Sequence, residues 1–255
     1  MQAAAFILSG VAAGVFSGSL GVGGALLATP LIRFLGVPPY LAIGTTVPVL
    51  LPTTLAGAWT YHRSGMVDPV VVRWTAPGGA IGAVAGALAT RSVDGHLLML
   101  FTAALMFALG ARTLPGRRTD ETGADTPRTL RPPAGLLAVG AAAGFFSGLL
   151  GIGGGFLMVP GFIRLFGLPV KTALGTSLAV ITITALPNLA AQTFVGNVRW
   201  SVAALLALGV VPGALIGART AIRAPERGLH IAIAVAVMLV AAFYAAVEIA
   251  ALSSA

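Results

Sequence analysis

The chain contains no cysteine. Disulfide frameworks, thiol nucleophiles and cysteine-ligated metals are excluded on that count. Charge is nearly as scarce: 9% of its 255 residues are Asp, Glu, Lys or Arg, against about 25% in a soluble domain. The seven acids are Asp68, Asp94, Asp120, Glu121, Asp125, Glu226 and Glu248. None falls near the centre of an apolar run, although Glu248 lies near the end of the last one. The buried carboxylate that proton- or sodium-coupled carriers often keep is missing. The three histidines, His62, His96 and His230, form no metal-ligand spacing with acids. No catalytic motif, cofactor motif or metal site stands out, so the chain reads as a non-enzyme with no cofactor. The glycine-rich stretches lack the Lys-Ser/Thr of a phosphate-binding loop, and without a nucleotide domain primary active transport by this chain is excluded.

What the chain does have is hydrophobicity: 57% of its residues, with a mean hydropathy of +0.98. That composition specifies an all-α integral membrane protein. Its net charge of +8 sits in short connections between apolar runs, so the positive-inside rule accounts for it better than nucleic acid does. The start, Met1-Gln2-Ala3-Ala4-Ala5, has no basic region and reads as the beginning of a membrane segment. Eight hydrophobic segments are expected near 3–35, 41–61, 69–90, 96–114, 134–166, 172–195, 200–222 and 228–251. A stretch rich in charge, Thr and Pro, 115–133, reads as a linker between two halves, 1–114 and 134–255.

The halves repeat one another. Gly14, Ser17, Gly18, Gly21, Gly23, Gly24 and Pro30 match Gly144, Ser147, Gly148, Gly151, Gly153, Gly154 and Pro160 at one offset. Further on, Gly36, Pro38, Gly44, Thr45 and Thr46 match Gly167, Pro169, Gly175, Thr176 and Ser177, and Gly65 with Val67 matches Gly196 with Val198. Pro77-Gly78 and Gly82 match Pro212-Gly213 and Gly217. Duplication of a four-segment unit is typical of secondary transporters.

These residues resemble a known family. The paired Gly-x-Gly-Gly runs, the Gly-Thr pieces at 43–46 and 174–177, and the Gly-x-Val pieces at 65–67 and 196–198 are similar to those of the TauE/SafE family of sulfite and organosulfonate exporters. The resemblance covers nearly the whole chain. It implies a multi-pass permease of the bacterial inner membrane whose substrates are sulfite, sulfoacetate or related sulfur-containing anions.

The first and fifth segments are about 33 residues long, or ~50 Å as straight helix, too long for one untilted crossing. If all eight segments cross, the repeats are parallel. The basic residues then divide into eight (Arg63, Arg73, Arg112, Arg117, Arg118, Arg128, Arg131, Arg199) and seven (Arg33, Arg91, Arg164, Lys171, Arg219, Arg223, Arg227). If those two segments are re-entrant hairpins of two half-length helices, Arg164, Lys171, Arg219, Arg223 and Arg227 join the first group and Arg199 leaves it. The division becomes twelve to three, the repeats are inverted, and the 115–133 linker is cytoplasmic.

Two readings of the glycine runs stand side by side. Small residues allow close helix packing. A break instead exposes backbone N–H groups at a helix N-terminus, where an anion binds without a basic side chain. On the second reading the substrate site comprises Ser17, Gly21, Gly23, Gly24, Ser147, Gly151, Gly153 and Gly154. Thr45, Thr46, Thr176 and Ser177 are expected in turns, either capping the helices that follow them or donating hydroxyls to a sulfur oxyanion. Asn188 and Gln192, four apart on one helix face beside Pro187, complete the set. Trp59 and Tyr61 read as an interfacial belt and His62 as an interfacial residue. Outward movement of an anion is favoured by an inside-negative potential, by about 2.3 kcal/mol per charge per 100 mV. Export by alternating access, with a small anion and the lipid bilayer as partners, is the reading this supports. Uptake of such an anion, a channel, and a scaffold that uses its glycines only for packing are the alternatives. A homodimer is compatible with the sequence and not specified by it.

Overall fold

The computed structural model describes residues 2–113 and 132–225, together with isolated residues between 235 and 246. The expected linker therefore lies almost wholly outside the described residues, as does the greater part of the eighth segment, 228–251. Among the described residues the chain is helical, with no strand. The helices are α1 (Gln2–Leu20), α2 (Ala25–Phe34), α3 (Pro39–Arg63), α4 (Pro69–Ala89), α5 (Gly95–Thr113), α6 (Pro133–Leu150), α7 (Gly155–Phe166), α8 (Val170–Val195) and α9 (Trp200–Arg223). A single 3-10 turn, Thr90–Ser92, joins α4 to α5.

Five of them, α1, α3, α6, α8 and α9, are long and apolar enough to cross a membrane. The third expected segment folds as α4, whose Pro77, Gly78, Gly79, Gly82 and Gly86 give it little hydropathy, and it falls outside those five. The first and fifth segments do break at the glycines, but unequally. Each yields one nearly full-length helix, α1 or α6, and one short one, α2 of 10 residues or α7 of 12. The expected pair of equal half-helices is not what forms.

The unequal split follows from two uses of glycine. Gly10, Gly14 and Gly18 stay helical and line one face of α1. A Cβ on any of them would collide with a backbone carbonyl of α9, at Leu206, Val210 and Ala214 in turn. Gly209, Gly213 and Gly217 on α9 meet the carbonyls of Ile7, Val11 and Val15 in the same way. Gly78, Gly82 and Gly86 on α4 interlock likewise with Gly140, Gly144 and Gly148 on α6. Small residues at every fourth position let two backbones touch, and dispersion and Cα–H···O contacts then hold the pair. Only beyond Gly18 and Gly148 does the chain leave the helix, at Gly21 (φ +66°), Gly23 (φ +80°), Gly151 (φ +69°), Gly153 (φ +87°) and Gly154 (φ +66°). Left-handed backbone there suits glycine and strains other residues.

The contacts also set directions. α1 runs parallel to α9, and α4 parallel to α6, because partners advance together along both chains. α3 and α8 run antiparallel: Gly44 abuts Asn197, the Thr182 hydroxyl donates to Thr54 at 2.9 Å, and Gly175 abuts Tyr61 and Met66. α7 folds back along α6, with Gly154 against Ala143, Gly161 against Val139 and Gly135 against Phe166. The bundle thus has two ends. At one, Tyr40 Oη donates to the Val93 carbonyl (2.9 Å) and Arg91 to that of Phe194 (3.4 Å). At the other, Lys171 Nζ donates to the Ile222 carbonyl (2.8 Å).

Packing at the glycine faces predicts a contrast in stability. Gly86→Ala should cost about 1–3 kcal/mol through overpacking against the Phe145 carbonyl. Gly65→Ala, with φ +70° and open space around it, should cost about 1 kcal/mol from backbone strain alone. Thermal melts of the detergent-solubilised variants check this, and a smaller loss for Gly86→Ala would be the wrong order.

Candidate functional site

The two breaks meet. A Cβ on Gly23 would lie 3.5 Å from Gly153 Cα, and one on Gly153 would lie 3.4 Å from Gly23 Cα. Residues 20–26 and 149–156 are all buried, and Leu50 of α3 reaches both glycines. The N-terminal ends of α2 and α7 flank this contact. Neither is capped by a side chain; Gly24 and Gly154 occupy the two N-cap positions.

The carbonyl sides of the breaks are treated differently. A helix that stops leaves its last carbonyls without amide partners, and here four side chains supply them. Tyr61 Oη donates to Gly18 O (3.2 Å) and Gln192 Nε2 to Gly148 O (2.8 Å). Ser177 Oγ donates to Gly21 O (2.7 Å), and Thr46 Oγ1 to Gly151 O (3.3 Å). Each of these hydroxyls shares its proton with a carbonyl of its own helix, Leu174 or Ile43. Tyr61 and Gln192 occupy equivalent positions of the two halves, as do Thr46 and Ser177. Four carbonyls at the breaks are therefore occupied, while the helix N-termini beside them carry no side-chain cap.

The remaining expected site residues fall as follows. Gly44-Thr45-Thr46 and Gly175-Thr176-Ser177 lie inside α3 and α8, not in turns. Their glycines serve close approach to Asn197 and Met66. Thr45 Oγ1 accepts the Arg199 N–H (2.9 Å) at the start of α9, and Thr176 Oγ1 accepts the Asp68 N–H (3.0 Å) at the start of α4. They therefore do not cap the helices they sit in; each hydroxyl instead ties down the start of a helix in the opposite half. Ser17 and Ser147 are buried, and Ser17 Oγ has no hydrogen-bond partner. Gln192 is fully engaged, since its Oε1 also accepts from Asn197 Nδ2 (3.1 Å). Asn188 is buried with neither amide atom partnered.

Tyr61 departs from its expected place. It is fully buried under the first break, while Trp59 is 57% exposed, with Arg63 over its ring at 5.5 Å. His62 is exposed. Charge is scarce in the interior: among the described residues every charged residue lies in a connection or within five residues of a helix end. Asp68 is the buried one, and it caps α4 through the Val70 and Val71 amides (3.0 and 3.3 Å). No cluster of metal-ligating side chains occurs among the described residues.

Long apolar helices, two opposed breaks and an uncharged polar centre define a multi-pass membrane protein of the transporter class. The family described as Sulfite exporter TauE/SafE matches residues 6–244, and the chain belongs to it. It is 31% identical over 235 residues to "Probable membrane transporter protein YunE" of Bacillus subtilis, covering 84% of this chain and 85% of that one. It is 33% identical over 224 residues to a "Probable membrane transporter protein" of Xylella fastidiosa, covering 84% and 83%. No solved structure matches the chain.

The cross-half hydrogen bonds make a prediction of their own. Thr176→Ala should lower stability by about 1–3 kcal/mol, the cost of an unpaired buried N–H, and Thr176→Ser should restore most of it. Denaturation of the two variants tests this; a Ser variant as unstable as the Ala variant would contradict the hydroxyl's role.

Proposed function

We propose that the protein is a secondary transporter that moves a small sulfur-containing anion, sulfite or an organosulfonate, out of the cell across the inner membrane. The observation that carries this reading is the pairing at the breaks. Four side chains occupy the carbonyls, and no side chain caps the N-termini of α2 and α7. Such a centre attracts negative charge without holding a positive one. Its binding surface is the backbone of Gly23, Gly24, Gly153 and Gly154, with Ser17, Ser147 and Asn188 alongside; the Gly21 and Gly151 amides already donate to the Ser17 and Ser147 carbonyls, at 2.9 Å each. The family name, Sulfite exporter TauE/SafE, gives the substrate class. The membrane potential favours the outward direction for an anion.

The transport cycle follows from an inverted repeat. α3 and α8 occupy equivalent positions of the two halves and run in opposite directions, which supports an axis lying in the membrane plane. α1 with α2, and α6 with α7, then enter and leave on one side each, and the basic residues divide twelve to three. Because α1 packs on α9 and α6 on α4, each moving unit combines helices from both halves. The two units rock about the Gly23–Gly153 contact, opening the breaks first to one side and then to the other.

Efflux of sulfite and sulfoacetate from loaded proteoliposomes tests the reading. Saturable flux, accelerated by the same anion on the far side, is the expected result. Unsaturated flux with single-channel currents would replace the carrier by a channel. Absence of flux, together with no thermal stabilisation by any sulfur oxyanion, would overturn the substrate class.

A further inference from the structure

Four buried side-chain polar atoms among the described residues have no hydrogen-bond partner: Ser17 Oγ, Thr75 Oγ1, and both Nδ2 and Oδ1 of Asn188. The two hydroxyls sit in helices, where a rotation brings such a group onto a carbonyl of the preceding turn. Asn188 is different. Its amide presents two donor hydrogens and an acceptor oxygen, its side chain is 1% exposed, and burial of such a group without partners opposes folding.

Its surroundings locate it. On α8, Ile181, Asn188 and Gln192 share a face by helical spacing. The Ile181 side chain comes within 3.0 Å of a Cβ placed on Gly155, the first residue of α7, and Gln192 holds the Gly148 carbonyl. By that spacing Asn188 falls between these two contacts, on the face of α8 turned to the second break, where α7 begins without a side-chain cap. The first break has no counterpart. The equivalent position is Gly57, and the Leu178 side chain fills the space beside it, with Cδ1 2.8 Å from where a Cβ would stand. The duplication is thus broken at the residue best suited to bind.

We propose that Asn188 and the N-terminus of α7 form one binding site per chain, selective for a sulfur oxyanion of single charge that carries its own hydrogen-bond donor, such as hydrogensulfite. The Asn188 N–H and the Phe156 amide in the first turn of α7 bind the oxyanion, the Gly155 and Leu157 amides being engaged with Gly153 and Gly154; Asn188 Oδ1 accepts the hydrogen the ligand brings. A ligand without a donor leaves that oxygen unpaired, and sites with a stranded buried polar group reject such analogues. This inference rests on the anion-transport reading above and narrows it to one break.

Sulfamate and methanesulfonate test it, being monoanions of nearly equal size that differ in an amino against a methyl group. Binding to the full-length protein in detergent is measured by calorimetry, with sulfite as reference. Sulfamate should bind about tenfold tighter or more, the worth of one hydrogen bond, at one site per chain, and Asn188→Leu should abolish the difference. Equal affinities of the wild type for the two, or sulfite binding without sulfamate binding, would overturn the assignment to Asn188 alone. This comparison needs no variant and holds even if Asn188→Leu does not fold. Loss of all three ligands, sulfite included, would instead overturn the anion-transport reading.

Discussion

A helix that breaks inside an apolar bundle must find partners for the backbone groups it frees, because no bulk water is there to take them. The architecture described here depends on how that requirement is met. The carbonyls of Gly18, Gly21, Gly148 and Gly151 receive hydrogen bonds from Tyr61, Ser177, Gln192 and Thr46. Two of these bonds stay within one half and two cross to the other. The crossing pair ties each break to the long helix of the opposite half. What the side chains leave uncapped is the donor side, and the proposed preference for negative charge rests on that asymmetry.

The halves are interlocked in a second way. Each glycine-faced helix packs not on its own half but on the other, α1 on α9 and α6 on α4. Backbone contact along these pairs removes side-chain bulk and brings the breaks together at Gly23 and Gly153. Divergence between the halves is confined to a few positions of consequence. Tyr61 answers to Gln192 with the same job done by a different group. Gly57 answers to Asn188, and there the chemistry differs outright.

Much of this was legible in the sequence. The duplicated Gly-x-Gly-Gly runs marked the breaks, and their spacing to the Gly-Thr pieces marked the repeat. The unequal lengths of α1 and α2 were not legible, because a glycine that packs and a glycine that breaks look alike until the partner helix is known. Gly14 and Gly18 are of the first kind, Gly21 and Gly23 of the second. For the same reason Gly44 and Gly175 read as turns and proved to be points of close approach within helices. Tyr61 read as interfacial because it follows Trp59 near a helix end; its phenol instead turns inward to a carbonyl no sequence pattern identifies. Its alignment with Gln192 was a signal that the repeat itself offered. The hydroxyls around the site are also fewer than the sequence suggests, since Thr45, Thr46, Thr176 and Ser177 are all engaged with backbone.

The central claim is that equivalent parts of the two halves face opposite sides of the membrane. Pro38 and Pro169 are equivalent, exposed, and placed just before α3 and α8. The absence of native cysteine makes single-cysteine labelling unambiguous. With Pro38→Cys and Pro169→Cys in separate chains, an impermeant thiol reagent added to intact cells should modify the first and spare the second until the membrane is opened. Modification of both from the same side would mean that the repeats are parallel, and the account of two opposed breaks in an inverted pair would fail.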